Sequence, residues 1–117
     1  MKHPILSAVS DTVAWNELKQ GREVLEQLTQ APVATLAYPN GHPGTDYNQR
    51  HVAMARELGF QQAVTTAVGV ASPGDDLLQL PRFTPWDTTL SRWTIRLLLS
   101  RRHTQFKVAE TAAVRRT

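Results

Sequence analysis

The chain has 117 residues, of which 41% are hydrophobic and 20% are charged, as in one globular domain with a modest core. It contains no cysteine, which excludes a disulfide framework and a thiolate metal site. No apolar run approaches the roughly 20 residues that cross a bilayer, and the N-terminus lacks the apolar run of a signal peptide. We therefore expect no transmembrane segment and, for the chain as written, a cytoplasmic location.

The first third of the chain predicts a helix followed by a strand. Apolar residues recur at steps of three and four over residues 11–29, which is the period of an amphipathic helix, and Ser10 is placed to cap its N-terminus. Pro32 ends this helix. Residues 33–38 are mostly small and apolar and predict a buried strand, which closes at the turn sequence Pro-Asn-Gly over 39–41.

The middle of the chain repeats this pattern. A second helix is predicted over residues 47–58, with Asp46 as its cap and Gly59 as its end. A second β segment follows at 62–66. Strands that alternate with helices through short connections favour a parallel sheet covered by helices, because parallel neighbours need a crossover.

The last third predicts a third strand over residues 79–83, interrupted by Pro81, and a helix over 88–100. The net charge of +3 lies mostly beyond residue 90, so we expect 101–117 to be a basic, flexible tail. A solvated tail is favoured over one that contacts nucleic acid or anionic lipid, and nucleic acid is not an expected partner. The basic residues of this part are Arg92, Arg96, Arg101, Arg102, Lys107, Arg115 and Arg116.

Three stretches resemble the polysaccharide deacetylases of the NodB-homology type. The sequence His3-Pro-Ile-Leu resembles the end of that family's histidine motif, in which two histidines four positions apart bind a metal ion. Residues 36–41, Leu-Ala-Tyr-Pro-Asn-Gly, resemble its aromatic-proline-glycine motif at the end of a barrel strand. Residues 57–66 and 80–83 resemble the later helix and strands.

The resemblance implies a fold and an activity. The family consists of metal-dependent hydrolases with a distorted (β/α) barrel, so residues 1–100 are expected to form the C-terminal part of such a domain, with about three parallel strands covered by helices. The cofactor of the full-length family is a divalent metal, zinc or similar. The implied partner is an N-acetylated polysaccharide of the cell wall or an exopolysaccharide.

The resemblance also assigns roles to individual residues. His3 matches the second metal histidine, and the backbone N–H of Asn40 matches the donor that holds the oxyanion of the tetrahedral intermediate. Tyr38 and Pro39 are candidates for substrate contact, and Arg82 is a candidate catalytic group. Independently of the resemblance, Trp86 is a candidate for stacking on a sugar, and a tryptophan that caps the core is the alternative. The arginine that many members carry before the motif corresponds to Ala37, which cannot orient a catalytic aspartate.

Two interpretations remain. The family's first metal histidine, its paired aspartates and its late leucine-histidine motif have no counterpart here. Because one imidazole cannot hold a catalytic zinc, the chain is expected to be a truncated deacetylase that binds no metal tightly and is inactive alone. The alternative is a non-catalytic remnant or accessory fragment that binds a partner, either an upstream half-domain or a second copy, through an open sheet edge.

Overall fold

The computed structural model describes residues 3–84 and 86–100. Helices and short strands alternate along the chain, with one 3-10 helix before the first α-helix and another before the last. The elements are the first 3-10 helix Leu6–Ala8, helix α1 Asp11–Thr29, strand β1 Thr35–Ala37, helix α2 Gln49–Glu57, strand β2 Gln62–Val64, the second 3-10 helix Leu77–Gln79 and helix α3 Leu90–Ser100. The prediction that residues 101–117 form a flexible tail lies outside the described residues.

Helix α1 has the predicted bounds and the predicted cap. The Ser10 hydroxyl accepts a hydrogen bond from the Val13 N–H at 3.4 Å, and the helix ends where Gln30 adopts a left-handed conformation with φ of 54°. Its apolar stripe is only partly covered. The N-terminal half is buried at Ala14 and Leu18, but further along Leu25 is 48% exposed and Leu28 is 75% exposed.

Strands β1 and β2 are parallel, as predicted, with Leu36 opposite Ala63. The prediction of a third strand over 79–83 is corrected. Asp76 accepts a hydrogen bond from the Leu78 N–H at 3.0 Å and so starts a 3-10 helix, and Pro81 has no N–H for a ladder. Only Leu80 bridges β2, donating its N–H to the Ala63 carbonyl at 2.8 Å. Within the described ranges the sheet therefore has two strands, and these residues do not close a barrel.

Helix α2 begins later than predicted. Its cap is Asn48, whose side-chain oxygen accepts the Arg50 N–H at 2.9 Å, and not Asp46. The ring Nδ1 of His51 accepts the Asn48 N–H at 3.0 Å and completes a capping box. His51 is fully buried, which was not predicted from the sequence.

The core lies between the helices and the sheet. Its members come from both 3-10 helices, α1, α2, β2 and the segments between them, and β1 adds only the partly buried Leu36. The buried apolar residues are Leu6, Ala14, Leu18, Tyr38, Tyr47, Val52, Ala55, Phe60, Ala63 and Leu78. Helix α3 stands apart from this core and leaves Leu90, Ile95, Leu98 and Leu99 more than half exposed. No helix in the described part of the chain is both long and apolar enough to span a bilayer.

Candidate functional site

Residues 39–41, which follow β1 and are called the β1 turn below, are held in an unusual backbone conformation. Asn40 has φ of 56°, and the Gly41 N–H donates to the Pro39 carbonyl at 2.7 Å, which closes a γ-turn around Asn40. The Gly41 carbonyl accepts the N–H of Thr66, which follows β2, at 2.9 Å. The turn is thus fixed to both strands. Among the described residues, the Asn40 N–H has no hydrogen-bond partner, and Asn40 is exposed.

Tyr38 supports this turn from the core. Its ring stacks on the buried ring of Tyr47, with centroids 4.0 Å apart, and its hydroxyl donates to the Leu78 carbonyl at 3.0 Å. The Tyr47 hydroxyl donates to Gln79 Oε1 at 3.1 Å. Burial raises the pKa of both phenols. Tyr38 was predicted to contact substrate; only 4% of it is exposed, so its ring lies beneath the turn and not at the surface.

An apolar groove of about 260 Å³ runs between α1 and β1. His3 and Pro39 both line it, so the fold brings together two of the residues that the sequence analysis singled out. Its floor is formed by side chains of α1, β1 and the segment before β2, including Leu18, Leu25, Leu36 and Phe60.

The same groove lies along the free edge of β1. The Ala34 carbonyl accepts N–H groups from Gln61 and Gln62, and the Tyr38 N–H donates to the Val64 carbonyl. Backbone groups alternate in direction along a strand, so those of Thr35 and Ala37 point away from β2. With respect to residues 3–84 and 86–100, the free edge of β1 therefore carries unpaired donors and acceptors beside an apolar surface.

His42 and Asp46 form a pair in the loop that follows the turn. One carboxylate oxygen of Asp46, Oδ2, accepts both the backbone N–H of His42 at 3.0 Å and its ring Nδ1 at 2.6 Å. Asp46 is buried, whereas the His42 side chain is 67% exposed. Burial alone would raise the pKa of Asp46, but the backbone and ring hydrogen bonds from His42 outweigh it and lower that pKa. The loop thus holds an ionised carboxylate behind an accessible imidazole.

The remaining predicted site residues lie elsewhere. Arg82 is exposed and does not line the groove; its backbone N–H donates to the Ala67 carbonyl at 2.8 Å. Trp86 is 82% exposed. Its neighbour in the chain, Asp87, is paired with Arg96 of α3 through two hydrogen bonds of 2.5 and 3.2 Å. The structure does not gather these residues around the β1 turn.

The described residues do not by themselves fit a catalytic metal ion. Such an ion needs about three protein ligands. Within residues 3–84 and 86–100, no three histidine or carboxylate side chains lie close enough together to hold one, and the groove beside His3 is largely apolar. If His3 is a ligand, the other ligands come from elsewhere.

Comparison with known proteins identifies the family of this chain. The family model described as polysaccharide deacetylase matches residues 1–63, which is more than half of the chain and includes both His3 and the β1 turn. The chain belongs to the polysaccharide deacetylase family. The matched range includes the β1 turn, whose sequence resembles the aromatic-proline-glycine motif of that family.

A solved structure agrees with this assignment. The chain is similar to the deacetylase PplD of Streptococcus pyogenes, solved in complex with acetate, with a TM-score of 0.72 and 28% identity over 86% of this chain. The match covers 41% of PplD, so the chain spans about two fifths of that protein's length. No curated protein matches the chain.

The pairing of His42 with Asp46 was missed from sequence. Asp46 was interpreted as a helix cap because an acidic residue precedes a helical pattern, and no role was assigned to His42. The available signal was the spacing of four residues between a histidine and an aspartate across that turn. In this chain His42 lies two residues beyond the exposed Asn40, and Asp46 lies six residues beyond it.

Proposed function

We propose that this chain supplies part of the active site of a metal-dependent deacetylase that hydrolyses acetyl groups on N-acetylated sugars of an exopolysaccharide or cell wall. The observation that carries the proposal is that His3 and Pro39 line one groove at the end of β1. Metal ligands and oxyanion donors of β/α folds collect at this end of the strands. Family membership supplies the reaction class, and the residue roles follow the resemblance.

The backbone N–H of Asn40 is the proposed oxyanion donor. It is unpaired among the described residues, and the γ-turn fixes it before substrate arrives. A preorganised donor of this kind stabilises charge that develops in the transition state. In this proposal Pro39 contacts substrate at the groove and Tyr38 positions the turn from below. Arg82 and Trp86 could contact only the more distant parts of a polymer.

His3 is the proposed metal ligand, and the missing ligands come from a further protein segment. The free edge of β1 supports this, because its outward N–H and C=O groups and the apolar groove beside it suit an added parallel strand. Partner binding through the edge, the alternative to a catalytic role, then becomes a step in forming the site. The chain alone is expected to bind zinc weakly and to release no acetate from N-acetylated sugars.

The test compares the chain with the same chain fused in frame to the codons that precede its Met1 in the gene. We expect acetate release from N-acetylglucosamine oligosaccharides, dependent on added zinc, from the extended protein only. His3→Ala should abolish both that activity and tight zinc binding measured by calorimetry. Zinc-dependent activity that persists in the His3→Ala variant would contradict the proposal.

The role of Asn40 needs a different variant. Proline would remove the N–H, but its φ near −65° is incompatible with the observed 56°. A backbone ester at Asn40, introduced by semisynthesis, removes the N–H and keeps the side chain. In the extended protein it should lower turnover by about two to three orders of magnitude. Asn40→Gly, which keeps the N–H and accepts the positive φ, is the matched control and should retain turnover.

A further inference from the structure

The loop of residues 38–46 carries chemistry that the family motifs do not assign. The carboxylate of Asp46 is buried and receives two hydrogen bonds from His42, while the other side of the imidazole faces solvent. The position of Asp46 is itself fixed, since its N–H donates to the His42 carbonyl at 2.9 Å and its own carbonyl accepts the Ser7 N–H at 3.0 Å. The pair is preorganised.

The hydrogen bonds determine which ring nitrogen carries the proton. An ionised carboxylate can only accept hydrogen bonds, so Nδ1 of His42 must be the donor in the 2.6 Å contact. In the neutral ring, Nε2 then carries the lone pair. No partner occupies Nε2 among the described residues, and the ring is two-thirds exposed. A carboxylate that fixes the tautomer of an imidazole with a free Nε2 is the arrangement of a general base in hydrolases.

We propose that His42 and Asp46 form a proton-transfer site that hydrolyses acetyl esters without a metal ion. Nε2 takes a proton from water as the water oxygen bonds to the acyl carbon and the carbonyl electrons move onto oxygen. When the tetrahedral intermediate collapses, the C–O bond breaks and the imidazolium returns the proton to the departing alkoxide. The products are acetic acid and an alcohol, and the ring is neutral again. The Asn40 N–H is the donor that holds the oxyanion in this reaction as well. That part of the proposal alone rests on the proposed function.

The experiment measures hydrolysis of p-nitrophenyl acetate by the chain at neutral pH in the presence of a chelator. His42→Asn is the key variant, because its side-chain amide can still donate to Asp46 but offers no Nε2. We expect it to lose about tenfold or more of the rate above background. Asp46→Asn should lose less, because the imidazole remains but its tautomer is no longer fixed. His103→Ala, which lies outside the described residues, is the control for unspecific imidazole and should keep the rate.

Nitrogen NMR of the imidazole rings measures which ring nitrogen of His42 carries the proton. If the pair were only structural, a change of tautomer would leave the rate of hydrolysis unchanged. In the neutral form of the His42 ring we expect the proton on Nδ1 and not on Nε2, and in Asp46→Asn a mixture of the two tautomers. The proposal is overturned if His42→Asn, folded by circular dichroism, keeps the wild-type rate, if His103→Ala loses as much, or if Nδ1 is unprotonated. Because no metal is present, these outcomes are independent of zinc-dependent deacetylation by the extended protein.

Discussion

Two glycines in the loop between β1 and α2 have similar backbone angles and different surroundings. Gly41 has φ of 75° and Gly44 has φ of 79°. A Cβ on Gly41 would lie 3.1 Å from both the Thr66 nitrogen and the Tyr38 oxygen, whereas a Cβ on Gly44 would meet no atom within 4 Å. Substitutions at the two glycines therefore distinguish the cost of a positive φ from the cost of a steric clash with neighbouring atoms.

We expect Gly44→Ala to lower the free energy of unfolding by about 1 kcal/mol, the strain of a left-handed L-residue. Gly41→Ala should lower it by at least about 1 kcal/mol more, because the strands must separate to admit the methyl group. Urea denaturation of the two variants measures the difference. Equal losses would mean that the turn moves freely relative to Thr66.

At the scale of one element, the N-terminus of α2 depends on the neutral form of a histidine. Burial lowers the pKa of His51 from its ordinary value of 6.5, and the nearby charge of Arg50 acts in the same direction while Asp11 opposes it. The unfolded chain therefore binds a proton more readily than the folded one. The stability contributed by neutral His51 is present above pH 6.5 and is lost as the pH falls through the lowered pKa.

The unfolding free energy of the wild-type chain should fall by up to about 1.4 kcal/mol per pH unit just below pH 6.5. His51→Gln is the informative variant, since glutamine is a usual partner in a capping box but does not titrate. Its stability should be flatter over the same pH range. Parallel curves for the two proteins would show that another group is responsible. Asp46 and Glu26, with lowered pKa values, act only in more acidic solution.

Elements that depend on local interactions were predicted correctly from the sequence, and features that depend on side-chain contacts in turns were not. Helix α1 was predicted to its ends because its signals, the apolar period and the Ser10 cap, are local. The prediction of a third strand was wrong because the Asp76 side chain accepts a hydrogen bond from the nearby Leu78 N–H and starts a 3-10 helix instead. The pairing of His42 with Asp46 was missed because its only sequence signal is a spacing of four residues, and a turn has no period from which the direction of a side chain can be inferred.

At the scale of the whole molecule, the free edge of β1 and the uncovered part of the α1 stripe lie on one side. Leu25 lines the groove along that edge and Leu28 is more exposed still. Family membership and the parallel sheet were predictable from local motifs and alternation. The partly covered stripe was not, because periodicity identifies an apolar face without specifying what covers it.

Without a partner, the chain should self-associate through this edge as its concentration rises. Thr35→Lys should weaken that association, because a charged side chain on an edge strand opposes pairing. Gln62→Lys is the matched control: Gln62 is the register partner of Thr35 on β2, is likewise exposed, and lies between β1 and the Leu80 bridge. Light scattering after size exclusion measures the mass. A chain that stays monomeric, or a control that is equally effective, would contradict this prediction.

The γ-turn has one further consequence, for the chemical ageing of the protein. Asn-Gly is the sequence in which asparagine deamidates most readily, because the glycine nitrogen can attack the side-chain amide and close a succinimide. Here the attacking N–H of Gly41 is held by the Pro39 carbonyl at 2.7 Å, and Gly41 is buried. The folded chain thus protects its own Asn40. Any loosening of the turn allows Asn40 to convert into isoaspartate. Isoaspartate lengthens the backbone at the proposed oxyanion donor. Protein stored partly unfolded would therefore lose this site before it loses its helices.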